Sequence, residues 1–143
     1  MDLVRSFTFQ NQEYRYISHL YNTTHLNERA AEVPLIWSLV QKYPSNQVLE
    51  IGNVLPHYYP AAHTVVDKYE VAPGVINSDI VTFTSKEKFK LIVSISTLEH
   101  VGWDETPKSK QKILKALKKV KSLLAPGGEA WITLPLGYNK YLD

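Results

Sequence analysis

The chain of 143 residues carries 16 Lys and Arg against 14 Asp and Glu, a net charge of +2 with neutral histidines. That length fits one domain with a modest core, and so weak a charge gives no ground for a nucleic-acid partner. Cysteine is absent, which excludes disulfides and thiolate metal sites. The start, MDLVRSFTFQNQEYRY, has no apolar run of signal-peptide length, and no stretch approaches the roughly 20 apolar residues of a membrane span; a cytoplasmic protein with no membrane partner is expected.

In chain order, FTFQNQEYRY sets Phe7, Phe9, Tyr14 and Tyr16 around the polar Gln10–Gln12 and predicts a β-hairpin. Its aromatic face must cover the core edge, a partner subunit or a substrate pocket. Residues 1–24 read as this extension and 25–143 as the core of a single domain. Leu26, Ala30, Val33, Trp37 and Val40 recur at helical spacing and predict a helix over Leu26–Gln41, kinked or delayed by Pro34. QVLEIG (47–52), HTVVDK (63–68) and KLIVSIS (90–96) read as buried parallel strands, with GVINSDI (74–80) a shorter one. Ile113, Leu117, Val120 and Leu124 predict a helix over Pro107–Leu124, with Thr106 as cap and Pro107 in its first turn. EAWITLP (129–135) follows the turn signal Pro126-Gly127-Gly128 and reads as the last strand. Alternation of strands and helices predicts an α/β fold, a three-layer Rossmann-like sheet of about five mainly parallel strands.

Ligands of open α/β sheets bind beyond the carboxyl ends of the strands. Those ends carry Glu50 and Gly52, then Asp67, then Asp79, then Ser94, Ser96 and Thr97 followed by Leu98-Glu99-His100. Each has an ordinary explanation, since an acidic strand end solvates a loop and Asp79 after Asn77-Ser78 can simply form a turn. Their serial order, one per strand, points to a ligand. A dinucleotide site fits poorly: VLEIGNVLPHYYP (48–60) lacks the later glycines, and Asp67 follows Gly52 too closely. A phosphate loop is absent too. A ligand without a pyrophosphate fits better.

VLEIG, VVDKYE, INSDIVTF, KLIVSISTLEHVG and SLLAPGGEAWITLP, taken in that order, resemble the motifs of class I S-adenosylmethionine-dependent methyltransferases of the type 11 kind, over about Val48–Pro135. The resemblance implies S-adenosylmethionine as cofactor. It implies that Glu50, Gly52 and Asn53 lie under the methionine part. Asp67, with Lys68 beside it, would hold the ribose hydroxyls, and Asp79 and Ile80 would flank the adenine. Ser94, Ile95 and Ser96, with Thr97, would line the floor near the sulfonium, and His100 and Glu99 would face the substrate. Two departures stand out. Val54 and Pro56 occupy places where glycines let a backbone approach a ligand. The family sheet also continues with two more strands, so the fifth is expected to leave an open edge, pointing to a shortened chain or to a homodimer through that edge or the hairpin.

Methyl transfer depends on alignment and on removal of a proton. His100 is the candidate base because its ordinary pKa lies near neutrality; a solvated loop histidine is the competing reading. Trp103, Asp104 and Glu105 form either an acceptor rim or a surface turn. His57, Tyr58 and Tyr59 either close over the ligand or pack the short crossover. Arg29 or Asn27 is the candidate for holding the cofactor carboxylate, although Thr24 and Asn27 also read as helix caps. Lys108, Lys112, Lys115 and Lys119 read as a solvated helix face. No histidine spacing suits a metal, and the sequon at Asn22 is discounted without a signal peptide. The expected function is methyl transfer to a small-molecule or glycan acceptor. The alternative is a non-catalytic binding or dimerisation module on the same fold, and a nucleotide-binding oxidoreductase is disfavoured by the missing glycines.

Overall fold

The computed structural model describes residues 5–143. The hairpin forms where alternation predicts it: β1 (Ser6–Phe9) and β2 (Gln12–Arg15) pair antiparallel with Phe7 opposite Tyr14. Gln10 and Asn11 carry φ of 49° and 61°, the two left-handed residues of a turn whose twist suits a two-residue hairpin. Phe7 stacks between Tyr14 and Tyr16, at 5.4 and 4.8 Å, and Phe9 meets Trp131 edge-on at 6.1 Å. The aromatic face thus covers this chain's own core edge.

Helix α1 spans Arg29–Val40, later than Leu26. Asn22 and Thr23 sit at φ 53° and 48° inside a 3-10 segment, Tyr21–Leu26, so no α-helix can run through them. Leu26 is left 76% exposed. Pro34 does not stop the helix. It cannot donate to the Ala30 carbonyl, and the N–H of Ile17, just past the hairpin, takes that place at 3.0 Å. The residue that looks like a breaker is the docking point of the extension.

The main sheet contains β3 (Val48–Ile51), β4 (Thr64–Asp67), β5 (Val75–Asn77), β6 (Phe89–Ile95) and β7 (Leu124–Thr133). The order is β5-β4-β3-β6-β7 and every pair is parallel. Helix α2 (Lys110–Leu123) lies on one face and α1 on the other. Alternate residues of β3 and β6 feed the two cores. Leu49, Ile51 and Ile92 pack with Ile113, Ala116 and Val120, while Val48, Leu91, Val93 and Ile95 pack with Val33, Ile36 and Val40. Burial on both faces is why these strands read as unbroken apolar runs.

Two predicted boundaries are corrected. Ser109 is extended (φ −139°, ψ 111°) and gives its N–H to Gly102 at 2.8 Å, so α2 starts at Lys110, and Thr106 and Pro107 lie in the loop before it. Its buried face uses Ala116 and Leu123, whereas Leu117 is 38% exposed. The fifth strand begins directly at Leu124. The Pro126–Gly128 segment is an irregularity within it, because β6 pairs Phe89 with Leu124 but Leu91 with Glu129. Gly128 is required there: a Cβ would sit 2.9 Å from the Phe89 carbonyl oxygen. The hairpin is a sheet of its own, so among the described residues the outer edge of β7 has no strand partner. None of the described helices is long and apolar enough to cross a membrane.

Candidate functional site

The sheet changes direction between β3 and β6, the place where open α/β sheets bind ligands. A cleft of about 490 Å³ opens there, lined among others by Gly52, Asn53, Asp67, Lys68, Asp79, Ile80, Ser96, Thr97 and His100. That size lies within the range of small-molecule sites.

The loop after β3 solves its missing glycines in a specific way. Gly52, at φ 90°, gives its N–H to the Val66 carbonyl at 2.8 Å. Val54 and Leu55, only 3% and 0% exposed, turn into the α1-side core. Their N–H groups both donate to Glu50 Oε1, at 3.0 and 2.8 Å, and Glu50 Oε2 pairs with His63 Nε2 at 2.6 Å. A buried carboxylate from the strand therefore holds the loop's shape. The aromatic residues beyond it serve packing: Tyr59 stacks on Trp37 at 4.6 Å, and Tyr58 meets the Thr24 hydroxyl at 2.7 Å. His57 stacks on Tyr21, whose ring lines the cleft, and pairs with Glu70 at 2.7 Å.

Asp67 stands at the end of β4, facing the cleft. Its Oδ1 accepts from the N–H groups of Tyr69 and Glu70, both at 2.8 Å, and its Oδ2 from Asn53 N–H at 2.9 Å. Three backbone donors fix this carboxylate in place. Asn53 Oδ1 is buried with no partner, an acceptor left over on a cleft-lining residue.

Beside it lies an ion network. Lys112 reaches Asp79 Oδ2 at 2.7 Å and Glu105 at 2.6 Å, and Lys68 joins both acids. Burial would raise the Asp79 and Glu105 carboxyls, but the two ammonium groups outweigh it and hold both below the usual carboxylate range. Glu105 in turn raises Lys68. Acids with depressed pKa stabilise the fold above their ordinary pKa and lose that contribution as pH falls through the depressed value. Lys112→Met is therefore expected to lower urea stability at neutral pH, with the deficit shrinking as pH falls below the ordinary carboxylate range. A deficit constant across that range would show that the network carries no such linkage. Lys112 thus leaves the solvated face to which its spacing assigns it.

Four of the residues that the resemblance assigns to the cofactor or the substrate do not line the cleft. Glu50, Ser94 and Ile95 are wholly buried, because β3 and β6 are covered on both faces. Glu99 is 3% exposed and turned into the protein, its Oε2 unpartnered. Burial, then the nearby Glu32, pushes its carboxyl up. Ser96, at φ 39°, does reach the cleft and donates its Oγ to both Glu32 oxygens at 2.9 Å. Arg29 lines the cleft from the start of α1, whereas Asn27 does not; its Oδ1 accepts the Arg29 N–H at 3.1 Å, as a capping residue would. Tyr21, Glu70, Asp104 and Glu105 also line it. Only the position of Asp104 and Glu105 just after Leu98-Glu99-His100 signalled any of them in the sequence.

Known structures share this architecture. The N-methyltransferase NodS from Bradyrhizobium japonicum WM9, solved with S-adenosyl-L-homocysteine, matches with a TM-score of 0.54 at 21% identity, over 73% of this chain and 60% of its own. The sugar N-methyltransferase KedS8 from Streptoalloteichus sp ATCC 53650 gives 0.53 at 13% identity, over 94% of this chain and 60% of its own. The chain thus spans three fifths of the length of each. No protein-family model matches the chain, and no curated protein does. At this distance the likeness shows the fold alone, a Rossmann-like mainly parallel sheet shared with these two methyltransferases.

Proposed function

We propose that the chain is an S-adenosylmethionine-dependent methyltransferase acting on a small-molecule or glycan acceptor. The observation that carries the reading is Asp67, fixed by three backbone N–H groups at the rim of a cleft at the sheet's switch point. Oδ1 is saturated by two of these donors and Oδ2 keeps one acceptor site, which suits a ribose hydroxyl.

The residues present fit the cofactor. Gly52 and Asn53 line the cleft at the end of β3, where the methionine part would lie. Ile80, 5% exposed, offers an apolar wall for an adenine. Asp79 would receive the exocyclic amine as a shared acceptor, since two lysines already hold it. Arg29 would hold the carboxylate, and Ser96 and Thr97 the floor below the reacting centre. Glu50 acts from behind, by fixing the loop. When bound, the cofactor supplies an electrophilic methyl group; the chain's part is alignment and exclusion of water. That NodS and KedS8 are N-methyltransferases, the second one a sugar N-methyltransferase, supports an amine-bearing glycan among the acceptors to try first. A homodimer through the open β7 edge belongs to the same proposal, with sedimentation velocity as its check.

Calorimetric titration tests the reading. S-adenosylmethionine and S-adenosylhomocysteine are expected to bind the wild type in the micromolar range and to lose at least tenfold in affinity with Asp67→Ala. Absence of binding by folded protein would leave the fold as a non-catalytic module.

A further inference from the structure

On the cleft wall built by residues 98–105, the N–H groups of Trp103 and Asp104 both return to the His100 carbonyl at 3.1 Å. This turn sets the Asp104 carboxylate against the imidazole, where Oδ2 meets Nδ1. The same oxygen accepts the Tyr138 hydroxyl at 2.6 Å, and the Tyr138 ring stands edge-on to the imidazole, 5.0 Å away at 71°. Tyr138 lies beyond β7, so two distant segments converge on one histidine. The arrangement is electrostatically consistent: Tyr138 and His100 hold the Asp104 carboxyl below its usual range, and Asp104 pushes the Tyr138 hydroxyl up to about 12.

The other imidazole nitrogen is left open. Nε2 has no hydrogen bond among the described residues, and the Glu99 carboxylate is 3.6 Å away, beyond hydrogen-bond distance. Arg29 and Glu32 of α1 complete the charged surroundings through Glu99. An ionised carboxylate only accepts, so the nitrogen facing it carries the proton; a neutral imidazole has one N–H, so the other nitrogen holds the lone pair.

We propose that Asp104, braced by Tyr138, is a positioning residue that fixes His100 as the Nδ1–H tautomer, leaving Nε2 to take a proton from the acceptor's O–H or ammonium N–H. The proposal rests on the methyltransferase reading. The proton moves from the acceptor's heteroatom to Nε2, and the bonding pair stays on that heteroatom as the lone pair of the nucleophile. The imidazolium formed lies between Asp104 and Glu99 and, with the His100 side chain 43% exposed, can return its proton to water. The substrate class is therefore one that carries a removable proton on the atom to be methylated, a hydroxyl or a protonated amine.

The test needs no acceptor. Long-range nitrogen–proton NMR correlations read the His100 tautomer in the whole folded chain. Diethyl pyrocarbonate, which acylates an unprotonated imidazole nitrogen, reads the availability of Nε2 by peptide mapping. Expected are the Nδ1–H form in the wild type, a switch to mainly Nε2–H in Asp104→Ala, and retention of Nδ1–H in Tyr138→Phe. Acylation of His100 is expected to slow several-fold in Asp104→Ala, and in the wild type when S-adenosylhomocysteine is present. A merely structural Asp104 would alter stability and leave the tautomer alone. The Asp104 side chain is 41% exposed, so its removal leaves no hole in the core, and Tyr138→Phe gives a second folded variant. An Nε2–H wild type, or an unchanged tautomer in Asp104→Ala, overturns the proposal even if S-adenosylhomocysteine binds. If calorimetry shows no binding of S-adenosylhomocysteine, the methyltransferase reading falls and the proposal falls with it.

Discussion

Gly52→Ala is expected to abolish S-adenosylhomocysteine binding and to destabilise the fold by about 2–6 kcal/mol, the sum of a strained backbone and an overpacked contact. Two independent obstacles meet at this position. Its φ of 90° lies where L side chains are disfavoured. A Cβ there would stand 2.2 Å from Thr97 Oγ1, 2.7 Å from its Cγ2 and 2.9 Å from its Cβ. Since both residues line the cleft, relief would have to come from Thr97 turning or from β3 and β6 parting, and either deforms the floor. Thr97→Ala in the same background should recover part of the stability, because it removes the two closest atoms and leaves the φ penalty. Urea unfolding and calorimetry read the two effects separately. Wild-type values for both would show that the glycine is dispensable.

Glu50→Ala is expected to cost about 2–5 kcal/mol, since it strips hydrogen bonds from several buried groups at about 1–3 kcal/mol each. Both side chains are sealed in, Glu50 at 0% exposure and His63 at 1%. Removal orphans the imidazole and the Leu55 N–H and leaves the Val54 N–H only the Gly52 carbonyl at 3.1 Å, and unpaired buried polar groups are costly. Glu50→Gln separates the parts, since its amide oxygen can still accept from Val54 and Leu55 while the charge toward His63 is gone. It should lose less, about 1–3 kcal/mol. The check is equilibrium unfolding in urea. An alanine variant within 1 kcal/mol of the wild type would mean that the loop holds its shape without the carboxylate.

The strands of the sheet and the hairpin were legible because their signals are local. Apolar runs mark strands covered on both faces, and Phe7 and Tyr14 share a face by alternation. Helix ends were less so: nothing in the spacing of Leu26 reveals the left-handed Asn22 and Thr23 upstream. In the site, Asp67 and Asp79 were legible as strand-end acids, since topology alone brings strand ends together. Glu50 was legible as a position but not as a role. Its partners are amides of its own loop and a histidine thirteen residues on, and no periodicity connects them. Lys112 reads like every other lysine of α2, and only the fold turns it toward Asp79. Asp104 and Tyr138 are separated by 34 residues, so their meeting at His100 is a property of packing.

The buried Glu50–His63 pair also bears on how relatives of this chain can be found. A sequence search keyed to spaced glycines looks for a loop shaped by backbone freedom and passes over a loop shaped by a carboxylate reaching up from the strand below. A pattern built instead on a strand-embedded glutamate, a single glycine two residues later and a histidine thirteen residues beyond the glutamate describes a separate design for the same floor. Chains that share it would be grouped by how they hold the loop, whatever residues the loop itself displays.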